Sequence, residues 1–446
     1  MNAAVTLDDV VRLLAENESE AQRGLSMVPS ENAMSGISKL PLLLDPYHRY
    51  FFNESDHPDR WHFRGAQKLR DLEMNLTVPL LRELGRAEYV SVRPLSGLNA
   101  MTLVLAALGG EPGSTVVTIA PENGGHFATP SVARRLGLNV EFLRGAGPHE
   151  LDLDHAAELL ARVRPSMVYV DQSHCLFPVD VASLVATVRA ASPDTLVHVD
   201  ASHWFGLVLG GAFRNPLDEG ADSLSGSTHK TFPGPQKAVV LTRDAGIDQR
   251  VRDAQDYLIS NHHFASTIGL GIALLEFRDC GGPEYARAVV AHTRRFGRLL
   301  DERGITVAAK ERGYSAGHQL WLDTEADGIA PKVASDRLFA AGLRVNFMAG
   351  LPGFPGQGVR IGLNEPTYQG LDGDDLTELA DVFAAAVHDT SPSAELSERI
   401  AALRQRTRFG APVDSNSHLL ERALALCADA LRTAPVPSRR PRAVAS

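Results

Sequence analysis

Between about residues 85 and 245, short β-branched runs alternate with stretches of helical periodicity. Val116–Ile119, Met167–Val170, Leu196–Val199 and Ala238–Leu241 are largely apolar over four residues each. Strands covered by helices on both faces read this way, as near-continuous hydrophobic runs. Between them, Ala156, Leu159, Leu160 and Val163 recur at i, i+3, i+4 and i+7, one face of a helix. The alternation predicts a mostly parallel α/β sheet with helices on both sides.

The texture changes near residue 283. Gly281, Gly282 and Pro283 interrupt the chain. Tyr285, Val289, His292, Phe296 and Leu299 then mark one face of a long helix, with Gly304 as its stop. Gln319–Leu322 and Val359–Leu363 read as strands, and helical sequence follows. This predicts an N-terminal arm over 1–60, a large α/β domain over 61–280 and a smaller C-terminal α+β domain over 281–435. The Pro- and Arg-rich stretch 436–446 is predicted to be a disordered tail. At the other end, Val5, Leu7, Val10, Val11, Leu13 and Leu14 suit a short amphipathic helix.

Composition narrows the setting. The chain is 44% hydrophobic and 22% charged, ordinary for a globular protein. Its net charge of −10 argues against a nucleic-acid footprint. The acidic N-terminus lacks a basic segment followed by an apolar one, so no signal peptide is expected. No run approaches the ~20 apolar residues of a membrane span. Cys175, Cys280 and Cys427 are widely spaced and show no metal-ligand pattern, so no metal is expected and a reducing, cytoplasmic setting fits.

Ligands of open α/β sheets collect at the carboxyl ends of the strands. Asp200, Ala201, Ser202 and His203 follow Leu196–Val199, and Ser227-Thr228-His229-Lys230-Thr231 precede Ala238–Leu241. A carboxylate just after a strand can hold a protonated ring nitrogen. Such a pair at 4 Å is worth about 4 kcal/mol at an effective dielectric near 20. Alone, Asp200 equally suits a helix N-cap and Lys230 a surface position. Together they suggest a pyridine cofactor acting as an electron sink, with Lys230 its Schiff-base lysine in a desolvated pocket. Ser227 and Thr228 could bond the cofactor phosphate.

The run from Asp200 to Phe213, the segment Gly226–Lys237, Pro29-Ser30-Glu31-Asn32, Gly124-Gly125-His126, Asp171-Gln172-Ser173 and Gly358–Gly362 carry a resemblance. Over roughly residues 25–370 the chain resembles serine hydroxymethyltransferase and its relatives. In phrasing (GGHFA, WHF, VDQS, THKTFPGPQK) it is most similar to the L-threonine transaldolases. Where hydroxymethyltransferases usually carry an arginine, this chain has Gln236.

The resemblance implies the type I pyridoxal-phosphate fold, aspartate aminotransferase-like, and pyridoxal 5'-phosphate as cofactor. It implies a homodimer with shared active sites acting on small-molecule amino acids and aldehydes. Lys230 would carry the cofactor, with His229 lining the pocket. Asp200 would pair with the ring nitrogen and His203 with the ring hydroxyl. His126 would stack on the ring, and Ser173 would lie near a cofactor oxygen. Ser96 and Gly97, at the start of an apolar helix, would receive the phosphate; Leu98 replaces the family's second serine there. Ser260-Asn261-His262-His263 stands where the family has a glycine-rich segment that completes the partner's phosphate site.

Arg360 matches the arginine that clamps the substrate carboxylate, assisted by Ser30; on an apolar strand it also suits a structural ion pair. Glu54 aligns with the acid–base glutamate that moves the β-hydroxyl proton, though its polar surroundings also suit a solvated loop. Phe52 stands where the family has tyrosine, leaving Tyr47 or Tyr50 for that place, and His62 occupies a position usually held by tyrosine. The expected reaction is aldol-type cleavage and formation of a C–C bond on β-hydroxy-α-amino acids. A glycyl carbanion passes to an acceptor aldehyde, as in a threonine transaldolase of secondary metabolism such as antibiotic biosynthesis. The alternative is a folate-dependent hydroxymethyltransferase acting on serine or a substituted serine. A non-catalytic amino-acid sensor would need an additional module that the sequence lacks.

Overall fold

A computed structural model describes residues 5–51, 63–354, 356–406 and 417–433. The expected disordered tail lies outside the described residues. The central sheet runs in the order Tyr89–Ser91, Ala238–Thr242, Ser223–Ser227, Leu196–Asp200, Met167–Asp171, Thr115–Ile119, Asn139–Leu143. The last five of these are mutually parallel. Ala238–Thr242 runs antiparallel to both of its neighbours. The stretch that joins it to Ser223–Ser227 contains no helix, and a parallel return needs a crossover of a dozen residues or more. A tight Pro/Gly turn therefore carries Lys230 out of one strand and back into the next.

Three of these strands escape the apolar-run criterion. Ser223–Ser227 is fully buried yet polar, because His198 on the adjacent strand bonds the hydroxyls of Ser223 and Ser225 at 2.8 and 2.9 Å. Tyr89–Ser91 is too short to stand out, and Asn139–Leu143 is an edge strand with alternating exposure.

The C-terminal part is built on an antiparallel sheet, Gln319–Leu322, Gln357–Gly362, Asn346–Ala349. The helix Gly282–Asp301 spans both parts: Ala286 and Val289 enter the core of the large sheet, while Phe296 and Leu300 enter that of the small one. Leu25 and Met27, near the N-terminus, also pack into the second core, and Leu25–Ser26 pairs with Leu343–Arg344. The helix Leu7–Arg23 is amphipathic as its spacing predicts, closed by a capping box between Thr6 and Asp9. None of its residues is buried; Leu7 and Leu14 are 84% and 64% exposed. No described helix is long and apolar enough to cross a membrane.

Candidate active site

The carboxyl ends of Met167–Asp171, Leu196–Asp200 and Ser223–Ser227 open on one cleft. The N-terminus of the helix Gly97–Leu108 forms its far wall. Gly97, His126, Ser173, Asp200, His203, Ser227 and Lys230 line it, as expected from sequence; Leu98, Met101, Asp171, Gln172 and Ser202 complete the wall.

Each side chain is placed by a specific local cause. Ser96 caps the helix, its Oγ accepting from the Asn99 N–H at 3.2 Å. Gly97 leaves room for the Ser227 hydroxyl: a Cβ there would lie 2.4 Å from Ser227 Oγ and would force that hydroxyl to turn away. Ser227 Oγ in turn donates to Ser202 Oγ at 3.0 Å. The free N–H groups of the helix start and these hydroxyls form an anion cup. Thr228 departs from expectation. It is fully buried and its hydroxyl donates to Pro235 O at 2.6 Å, so it closes the Pro/Gly turn instead of facing the cup.

Asp200 ends its strand with both oxygens engaged. Tyr169 OH donates to it at 2.9 Å and the Ser202 N–H at 2.9 Å. Lys230 stands opposite, its backbone carbonyl gripped by Asn32 Nδ2 at 2.7 Å and Asn364 Nδ2 at 3.2 Å. Tyr285 OH donates to the next carbonyl, Thr231 O, at 2.8 Å. Desolvation lowers the Lys230 ammonium to about 8; Asp200 opposes that shift and Arg360 adds to it.

Arg360 comes from the small sheet and is 5% exposed. Its guanidinium donates to Gln319 Oε1 at 2.9 Å and Ser173 O at 3.0 Å, with His203 Nδ1 at 3.4 Å. Among the described residues no carboxylate pairs with it. Burial lowers its pKa to about 10. His203 lies parallel to His318, ring centroids 5.6 Å apart. Burial, with Lys230 and Arg360 nearby, pushes His203 far below the usual histidine range, and His318 down to about 3. His174 falls to about 3 through burial and the proximity of Arg360 and His126. The site therefore holds neutral imidazoles around two cationic side chains. Ser173 Oγ and His229 Nδ1 are buried with no hydrogen-bond partner among the described residues. Such orphans mark a place for a ligand's polar atoms.

Three sequence-derived candidates stand apart. Glu54 and His62 lie outside the described residues. Tyr47 is 53% exposed, packs edge-on against His263 at 5.0 Å and is not among the residues that line the cleft. Ser30 sits in the turn whose Pro29 touches Gly362, two residues beyond Arg360 on its strand. Reasoning from sequence missed Tyr169, Ser202, His318 and Gln319 as parts of the site. Gln319 sits in a strand recognised only as an apolar run, and Tyr169 reads there as core.

The pattern of the serine hydroxymethyltransferase family matches residues 5–383. The chain belongs to that family. It is 43% identical to an L-threonine:uridine-5'-aldehyde transaldolase from Amycolatopsis, over 82% of this chain and 88% of that one. To a Streptomyces protein of the same name it is 41% identical, over 91% and 97% of the two chains. The crystal structure of L-threonine transaldolase from Pseudomonas fluorescens superposes with a TM-score of 0.83 at 25% identity, covering 94% of this chain and 96% of that one. The fold is the type I fold expected from sequence. The activity is of the transaldolase type: aldol cleavage and formation of a C–C bond on β-hydroxy-α-amino acids.

Proposed function

We propose that this enzyme works with pyridoxal 5'-phosphate held through Lys230, and passes the glycyl unit of L-threonine to a nucleoside 5'-aldehyde of the uridine-5'-aldehyde kind. The observation that carries the reading is Arg360: a buried guanidinium without a carboxylate partner among the described residues, bonded to the carbonyl of the cleft residue Ser173 and near enough to help lower Lys230 to about 8. A buried cation is costly unless paired, and a substrate carboxylate supplies the missing partner in bidentate geometry. The acceptor class rests on the two transaldolases at 43% and 41% identity.

The cleft fits the cofactor. Ser96, Gly97, Ser227 and His229 suit its phosphate. Asp200 suits its ring nitrogen, and Ser173 and His203 its ring oxygen. His126 suits one face of the ring. When bound, the cofactor supplies an electron sink for charge developing at the substrate α-carbon.

The protein's own groups do the rest. Asp200, braced by Tyr169 and Ser202, holds a proton on the ring nitrogen. Arg360, steered by Gln319 and the Ser173 carbonyl, fixes the amino-acid carboxylate and so the bond that faces the cofactor. Lys230, free as an amine near pH 8, takes and returns protons. The neutral imidazoles of His203 and His174 line the site without adding positive charge. Glu54 moves the β-hydroxyl proton of threonine as acetaldehyde leaves, and returns it when the new aldehyde adds.

The enzyme acts as a homodimer. This is supported by Tyr47, which packs on His263 and is not among the residues that line its own cleft, and by the exposed apolar face of Leu7–Arg23. The division into arm, large domain and small domain near residues 60 and 280 belongs to the same proposal.

The test is the product formed from L-threonine and uridine-5'-aldehyde by the cofactor-loaded protein, read by mass spectrometry. The expected product is a uridine carrying a β-hydroxy-α-amino acid side chain. Conversion of serine to glycine that requires tetrahydrofolate, with no such product, would overturn the reading in favour of a hydroxymethyltransferase.

A further inference from the structure

Asp171 occupies the last position of its strand, in register with Asp200 on the next one. The two carboxylates therefore stand side by side beneath the cleft, yet only Asp200 has a role in the reaction as described. Asp171 is 3% exposed. Thr118 Oγ1 donates to its Oδ1 at 3.2 Å and Thr129 Oγ1 donates to Oδ2; burial raises the Asp171 carboxyl to about 7, and Thr129, the nearby His126 backbone and Thr118 pull against that rise. Thr129 belongs to the segment Gly124–Thr129 that carries His126.

The rest of that loop is equally constrained. The Thr129 N–H donates to His126 O at 3.1 Å and the Ala128 N–H to His126 Nδ1 at 3.2 Å. The N–H groups of Ser173 and His174 donate to Gly124 O, at 3.0 and 3.2 Å. Gly124 has φ of 96°, and a Cβ there would lie 2.2 Å from His174 O. So the loop is pinned to the sheet from two sides: by backbone bonds at Gly124 and by the Asp171 carboxylate at Thr129.

We propose that Asp171 is a positioning residue, whose carboxylate fixes the His126 loop so that the imidazole lies flat against the cofactor ring. The inference rests on the proposed stacking role of His126. When ionised, the carboxylate is acceptor-only and takes both hydroxyl donors at once. Asparagine keeps one acceptor oxygen and puts an NH2 in place of the other, so one of the two threonine hydroxyls must turn from donor to acceptor and the charge that holds them is lost. The same strand pair then sets two features of the cofactor ring: Asp200 holds its nitrogen and Asp171, acting through His126, holds its tilt.

The experiment is a double-mutant cycle on the cofactor-loaded enzyme: Asp171→Asn, His126→Ala and both together. Thr129→Val serves as a second, milder way to cut the clamp. The readouts are the visible circular dichroism of the bound cofactor, which reports ring tilt, and kcat and KM for L-threonine. Asp171→Asn and Thr129→Val are expected to weaken the dichroism and lower kcat by about ten-fold, with threonine KM changing little. In the His126→Ala background neither should have a further effect, because residues acting as one unit are not additive. Full additivity, or unchanged dichroism in both clamp variants when His126→Ala alters it, overturns the role of Asp171 and leaves the stacking reading intact. Unchanged dichroism in His126→Ala overturns stacking itself, and the proposal with it.

Discussion

Two clusters of buried ionisable groups are finished differently. In the first, Glu73, Arg93, Lys237 and His262 satisfy one another. His262 bonds Glu73 at 2.5 Å through Nε2 and Arg93 at 2.7 Å through Nδ1, and Lys237 Nζ donates to His262 O at 2.7 Å. A single neutral tautomer of His262 serves both neighbours, and burial lowers its pKa to about 4, with Arg93 contributing. Burial alone would raise the Glu73 carboxyl, but His262 and Arg93 hold it down at about 2. In the second cluster, around Lys230 and Arg360, partners are missing. Arg360 has no carboxylate among the described residues, and Ser173 Oγ and His229 Nδ1 are orphaned. A closed network of charges is a strut, whereas an open one is a binding site waiting for its ligand's charges.

The comparison can be broken in both directions. Lys230→Ala should remove turnover altogether while leaving urea stability within about 0.5 kcal/mol of the parent cofactor-free protein; loss of both would put Lys230 among the struts. Glu73→Gln should do the reverse, costing about 3–5 kcal/mol in the same urea titration because Lys237 and Arg93 are left buried without their counter-charge. Arg360→Lys keeps the charge but loses the planar fork. kcat/KM for L-threonine should fall about a hundred-fold with little change in cofactor affinity.

A smaller effect sharpens the electrostatics. Lysine attacks the cofactor aldehyde only as a free amine, and Lys230 is lowered from 10.5 to about 8. Cofactor uptake by the cofactor-free protein, followed by absorbance, should rise with pH up to about 8 and level off above it. A rise continuing towards pH 10 would mean that Lys230 is not desolvated. Smallest of all, Lys237→Met removes a buried cation along with one hydrogen bond and should change stability by less than about 1 kcal/mol.

The sequence made much of this legible, for identifiable reasons. The buried parallel strands announce themselves because both faces are apolar, and Asp200 and Lys230 stand out at their ends. Ser223–Ser227 stayed hidden because its side chains are polar and their partner, His198, is 25 residues or more away in the chain. The antiparallel direction of Ala238–Thr242 was not read from the sequence; the helix-free Pro/Gly connection was the available signal. Thr228 reads as a phosphate ligand by its neighbours, but only the folded turn reveals its commitment to Pro235. Asp171 was quoted as part of a motif without a task, since its donors, Thr118 and Thr129, come from two other segments. Burial and long-range pairing, which decide such roles, have no local imprint.

The most direct test of the transaldolase account is acetaldehyde release from L-threonine by cofactor-loaded enzyme, with tetrahydrofolate absent and alcohol dehydrogenase as the coupled reporter. The account predicts slow release alone, a marked rise when uridine-5'-aldehyde is added, and none from Lys230→Ala. Release that ignores the added aldehyde, or no release without tetrahydrofolate, would contradict it.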